Sequence, residues 1–242
     1  MKHIIRKYKS IEDISEGLIG LINELHEGNK GADIFSIALS GGTTPKNIFG
    51  HISAKYKHHP VWKKLKIFFV DERCVPPDHA ESNYKMINES LIGNVAISLD
   101  NIYRIEGENE PEEEARRYGL EISRNLPETN RLPQFDLVLL GIGEDGHTAS
   151  IFPDRQDLLF TDRYCEVAIH PQSGQKRITI TGRIINNARK VIIIATGKSK
   201  SEVIKRVVEN DLKKELPASN INPVEGELIW MLDYEAAGAI GI

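Results

Sequence analysis

Along this chain, short apolar runs of strand length alternate with stretches whose apolar residues recur at helical spacing. Phe35-Ser36-Ile37-Ala38-Leu39 reads as a buried strand that stops at Ser40-Gly41-Gly42-Thr43-Thr44. Pro45 suits a first helical position, and Ile48, Phe49 and Ile52 give the helix that follows an apolar face. A second strand, Ile67-Phe68-Phe69-Val70, ends at Asp71-Glu72-Arg73, and a helix is expected from Asn83 to Ile92. Glu110 to Leu126 reads as a charged amphipathic helix whose run Glu112-Glu113-Glu114 forms a solvated first turn suited to the helix dipole. Phe135 to Leu140 is a third strand. Further strands are expected near Cys165–Ile169, Arg177–Thr181, Val191–Ala195 and Glu227–Leu232, with a helix from about Lys200 to Val208. Pro171–Gln175 and Asn220–Gly226 read as loops.

This alternation predicts an α/β fold, a mostly parallel sheet with helices on both faces and room for a small additional lobe. No internal repeat or low-complexity linker interrupts it, so residues 1–242 read as a single domain. In such sheets ligands sit beyond the carboxyl ends of the strands. The loops at Ser40, Asp71 and Gly141 each follow a strand and are expected to meet at one edge.

Composition narrows the function classes. A formal net charge of −4 offers no global basic field for nucleic acid, and an aromatic content of 7% argues against a base-stacking surface. No apolar stretch is long enough to span a bilayer, and Met1 to Lys7 lacks the apolar core of a signal peptide. Two cysteines, Cys74 and Cys165, allow one disulfide at most and suggest no metal cluster. The expectation is a cytoplasmic protein without nucleic-acid or membrane partners.

Three loops carry chemistry. Ser40-Gly41-Gly42-Thr43-Thr44-Pro45 exposes backbone N–H groups and hydroxyls at a helix start, which makes an anion site with phosphate as the commonest guest. It lacks the Gly-Lys-Ser/Thr ending of a Walker loop, and the alternative is an ordinary strand-to-helix turn. Gly141-Ile142-Gly143-Glu144-Asp145-Gly146 matches G-x-G-x-x-G, but two carboxylates inside the loop would repel a pyrophosphate, so NAD is rejected. The same carboxylates suit His147: Asp145 orients the imidazole and supports the imidazolium formed when it accepts a proton. Otherwise His147 caps or buttresses its loop. Arg73 suits a phosphate or a developing oxyanion, with a surface ion pair to Asp71 or Glu72 as the alternative. Arg177 and Gly197-Lys198-Ser199-Lys200 place further cations beside strands, and together with an anion loop they would complete a phosphate clamp. His3, His26, His51, His58, His59, His79 and His170 have no comparable setting and are expected to make surface or local contacts.

In this order the loops resemble those of the 6-phosphogluconolactonases, within the larger group that includes the glucosamine-6-phosphate deaminases. The resemblance rests on Ser40–Pro45, on Val70-Asp71-Glu72-Arg73 with Val75–His79 and Ser82-Asn83-Tyr84, and on Gly141 through His147 to Pro153. It extends to Arg177-Ile178-Thr179, Gly197 with Lys200, and Pro223 to Ala237, which is nearly the whole chain. It implies a modified Rossmann-like fold and hydrolysis of the 1,5-lactone of 6-phosphogluconate without metal or organic cofactor. By the resemblance His147 is the general base. Ser40, Gly42 and Thr43 would hold the 6-phosphate with Arg177 and Lys200 closing over it, and the backbone N–H groups near Gly42 and Gly143, or Arg73, would serve the oxyanion. The partner implied is the small sugar-phosphate lactone, bound by a monomer or weak homo-oligomer. Cys74 stands where an aromatic residue is common, and His170 to Lys176 is less proline-rich than usual. Two rivals remain. A deaminase/isomerase on the same fold would need a glutamate where Phe152 stands, five residues after His147. A non-catalytic sugar-phosphate sensor would keep the clamp without the chemistry.

Overall fold

The computed structural model describes residues 4–28, 34–210 and 215–241. In chain order the elements are β1 (Ile4–Tyr8), α1 (Ile11–Gly28), β2 (Phe35–Leu39), α2 (Thr43–Lys55), β3 (Leu65–Phe69), β4 (Asp71–Arg73), α3 (Asn83–Ser90) and β5 (Ile102–Tyr103). Then follow α4 (Pro111–Asn125), β6 (Glu128–Thr129), β7 (Leu132–Pro133), β8 (Leu137–Leu140), β9 (Cys165–Ile169), β10 (Lys176–Ile180), α5 (Gly182–Asn186), β11 (Lys190–Ala195), α6 (Ser201–Lys205) and β12 (Glu227–Asp233).

Seven strands form one parallel sheet in the order β1-β12-β11-β8-β2-β3-β5. Its central strands are apolar because both faces are covered: every residue of β2 and β8 is buried. The chain leaves β2 toward β3 on one side and leaves β8 toward β11 on the other. The β2–β8 boundary, with Ile37 beside Leu137 and Ala38 beside Val138, is therefore a topological switch point. The crevice beyond Leu39 and Leu140 opens there.

The predicted parallel sheet and its helices are found, with informative differences. No element was expected in residues 4–28, where β1 and α1 lie. β1 is a partly exposed edge strand with two cations, a weak strand signal, but α1 buries Ile14, Leu18, Leu21 and Ile22 at helical spacing and was legible. Asp71-Glu72-Arg73, expected as a loop, is β4 in a second, antiparallel sheet of order β4-β10-β9. The chain changes sheets at Val70, whose N–H donates to Leu39 O (2.9 Å) and whose carbonyl accepts from Ile180 N–H (2.9 Å). Glu114, expected in a solvated turn, is buried. It accepts hydrogen bonds from Glu106 N–H (2.7 Å) and from Arg117 Nε and Nη2 (both 2.7 Å). The helix expected over 200–208 is a tight turn at Lys198–Lys200, then α6, then a wider turn at Arg206–Asn210. Cys74 and Cys165 are both free thiols. No helix among the described residues is long and apolar enough to cross a membrane.

Candidate active site

The loop after β8 is tied to itself. Gly143 N–H donates to His147 O (2.9 Å), Gly146 N–H to Gly143 O (3.0 Å) and the Thr148 hydroxyl to Gly141 O (2.9 Å). Gly146 has φ +83°, a conformation glycine adopts without steric cost. Gly143 is required for a different reason: a Cβ there would run into the His147 ring and the Asp145 carboxylate, which lie over its backbone. Ala149, at φ 53°, holds a left-handed conformation rare for a residue with a side chain. Ser150 anchors the far end, donating from its hydroxyl to Asp71 Oδ2 (2.6 Å) and from its N–H to Thr179 Oγ1 (3.2 Å).

Within this frame Asp145 Oδ1 lies 2.6 Å from His147 Nδ1 and also accepts the His147 N–H (3.1 Å). Partial burial pushes the Asp145 carboxyl up. The hydrogen bond and charge of His147 and local backbone N–H groups outweigh that, bringing it down to about 2. A carboxylate that stays ionised holds the imidazole proton on Nδ1, which leaves the lone pair on Nε2.

A cavity of about 220 Å³ opens at the switch point, and Ser40, Gly42, Arg73, His147, Arg177 and Lys200 all line it. Asp145 stands behind His147, outside that lining. Thr43 is exposed at the first position of α2 and also lies outside the lining. The Ser40 hydroxyl donates to Leu139 O (2.8 Å), so its proton ties β2 to β8 and does not point at a guest. The Gly143 N–H is likewise spent within its loop, on His147 O.

The antiparallel register sets Arg73 directly opposite Arg177. Like charges in that position repel. Arg73 Nη1 donates to Glu81 O (2.6 Å), but the Nε atoms of both arginines are buried with no hydrogen-bond partner. Burial lowers the Arg177 pKa, with Asp71 opposing the shift and Arg73 adding to it. Neither Asp71 nor Glu72 forms the surface ion pair with Arg73 that sequence offered as an alternative. Glu72 is buried and caps α3, accepting from Asn83 N–H and Tyr84 N–H (both 2.7 Å), Arg73 N–H (2.8 Å) and the Ser82 hydroxyl (3.0 Å). Its pKa is raised because burial outweighs those bonds. Asn83, held by Asp71 O at 2.9 Å, packs over Gly41, where a Cβ would collide with it. Lys200 is brought in by Gly197, whose N–H donates to the Asp233 carboxylate (2.9 Å to Oδ2). Lys198 is exposed and does not line the cavity.

Two residues near the site escaped the sequence reading. Phe152 is fully buried beneath the His147 ring, 4.9 Å between centroids. His170, expected to make only local contacts, accepts Ser173 N–H (3.2 Å) and also packs edge-on against Phe152 at 5.1 Å. Its pKa is lowered, first by burial and then by Arg177 and His147. No group of three or more metal-ligating side chains is placed to hold an ion among the described residues.

A family model described as glucosamine-6-phosphate isomerases/6-phosphogluconolactonase matches residues 12–230. The 6-phosphogluconolactonase of Treponema pallidum (strain Nichols) is 39% identical over 209 residues, which are 86% of this chain and 84% of that protein. The 6-phosphogluconolactonase of Haemophilus influenzae is 38% identical over 202 residues, 83% of this chain and 85% of that one. Among solved structures, 6-phosphogluconolactonase from Trypanosoma cruzi superposes with a TM-score of 0.88 at 30% identity, covering 100% of this chain and 98% of that chain.

Proposed function

The chain belongs to the glucosamine-6-phosphate isomerase/6-phosphogluconolactonase family, and from that membership we infer that it hydrolyses 6-phospho-D-glucono-1,5-lactone to 6-phosphogluconate, in the oxidative branch of the pentose phosphate pathway. The observation that carries this reading is the His147–Asp145 pair sharing one small cavity with two arginines whose buried Nε atoms have no hydrogen-bond partner.

The reaction then follows from the residues. His147 Nε2 takes a proton from water as the water oxygen bonds to the lactone C1. Asp145, ionised throughout, stabilises the imidazolium that results. Negative charge moves to the former carbonyl oxygen, where Arg73 and the backbone near Gly42 supply donors. The C1–O5 bond breaks, and the imidazolium returns its proton to O5. The new carboxylic acid releases its own proton to solvent, leaving a carboxylate and the neutral base. The 6-phosphate sits between the Ser40–Thr43 turn, Arg177 and Lys200, and its charge relieves the repulsion between the two arginines. The backbone of the turn, rather than the Ser40 hydroxyl, does the donating.

We place the enzyme in the cytoplasm, as a single unit over residues 1–242 and as a monomer or weak homo-oligomer. Phe152, where a deaminase would need a carboxylate, favours the hydrolase over the deaminase/isomerase. The test compares opening of freshly generated 6-phosphoglucono-1,5-lactone with and without enzyme, beside glucosamine 6-phosphate as control. The expected result is lactone opening well above buffer and no ammonia release. Ammonia release without lactone opening would place the chain in the isomerase branch, and lactone binding without turnover would make it a sensor.

A further inference from the structure

The base lies in the loop after β8 and the phosphate-binding cation on β10, and no hydrogen bond joins the two side chains among the described residues. His147 bonds to Asp145, and Arg177 has an Nε with no partner. Their chain segments are tied nearby, where Ser150 N–H donates to the Thr179 hydroxyl oxygen (3.2 Å). What both touch is one ring. Phe152 lies 4.9 Å from the His147 ring at 51°, and the Arg177 guanidinium carbon sits 5.6 Å from the same ring centroid. His170 closes the ring's remaining edge at 5.1 Å and 75°.

The ring itself cannot drift. Phe152 has no exposed surface, and its extended backbone (φ −89°, ψ 161°) is fixed by the following Pro153. An aromatic face attracts a cation laid over it, so the ring holds the Arg177 guanidinium without using any donor the phosphate needs. The same ring supports the imidazole from beneath. A leucine of similar bulk would fill the space but offer no face to either group.

We propose that Phe152 is a positioning residue that sets the spacing between His147 and the Arg177 guanidinium, so that an anchored 6-phosphate delivers the lactone carbonyl to the base. The proposal rests on the lactonase reading. It makes Phe152 act through Arg177, and registration of a remote anchor with the reacting atoms is the kind of effect that appears in turnover as well as binding.

The test is a double-mutant cycle on kcat/KM for 6-phosphoglucono-1,5-lactone, using wild type, Phe152→Leu, Arg177→Gln and the double variant. Phe152→Leu is expected to cost about tenfold or more in the wild-type background, shared between kcat and KM, and under about threefold once Arg177 is Gln. The same factor in both backgrounds, or no loss in either, overturns the proposal, because a merely structural ring would damage both equally. Inactive wild type would instead refute the lactonase reading before any variant is compared. Where Phe152→Leu shows no cooperative melt, Phe152→Met, whose flexible thioether fills the space without a ring, is judged by the same criterion.

Discussion

In the loop after β8 the polar groups are matched: Asp145 with His147, Gly143 N–H with His147 O, and Ser150 with Asp71. On the β4–β10 pair the reverse holds, with two guanidinium groups side by side and two buried Nε atoms without acceptors. The first region is finished before substrate arrives, so it is suited to chemistry that tolerates little reorganisation. The second is incomplete and mildly repulsive until an anion fills it, so it is suited to capture. A site of this kind gives the base to one wall and phosphate capture, through Arg177, to the other, with Arg73 between them at the oxyanion, and substitutions on each wall should reveal that division.

The largest effect is expected on the matched wall. His147→Ala should lower kcat by about 10²–10⁴ with KM little changed, measured at saturating lactone against the buffer rate. Asp145→Asn should come next, at about 10²-fold or more in kcat, because an amide no longer fixes the imidazole proton on Nδ1. At Lys200, in the turn after β11, the split should invert. Lys200→Ala should raise KM by about tenfold and change kcat less, as expected for a remote binding contact. A kcat loss with KM unchanged would place Lys200 at the reacting carbon.

The unmatched wall also predicts a trade of function against stability. Arg177→Gln should weaken binding, yet raise the melting temperature of the unliganded protein, since it removes one of two opposed cations worth about 0.2–1 kcal/mol of repulsion. A lower melting temperature would mean that the Phe152 contact outweighs that repulsion. The smallest effect concerns acid. The Asp145 pKa is lowered in the folded chain from 3.8 to about 2, so its stabilising contribution is present above about pH 4 and lost as pH falls toward 2. The stability advantage of wild type over Asp145→Asn should therefore shrink as pH falls from about 4 toward 2. A rate change near neutrality cannot come from Asp145.

Much of this was legible in the sequence, for physical reasons. The central strands are mostly apolar, so β2, β3, β8 and β11 stood out, and the glycines beside His147 marked the edge where they end. What escaped depends on tertiary pairing. Asp71–Arg73 is a three-residue strand only because β10 lies against it, and the facing of Arg73 and Arg177 is a matter of register that no local pattern carries. Glu114 reads as a surface charge because, although Arg117 lies three residues on in α4, the Glu106 N–H that meets it inside comes from the segment folded back before the helix. The Ser40 hydroxyl reads as a phosphate donor until Leu139 O is found to accept its proton. Phe152 was read only as the residue standing where a deaminase would need a glutamate, since nothing in sequence says that an apolar residue lies against two functional side chains.

The division between the two walls is tested most directly by titrating 6-phosphogluconate into His147→Ala by calorimetry. The account predicts that this variant binds the product within a few-fold of wild type while opening no lactone above buffer. Loss of binding and turnover together would contradict it, because the histidine would then be part of the capture surface and not a separate base.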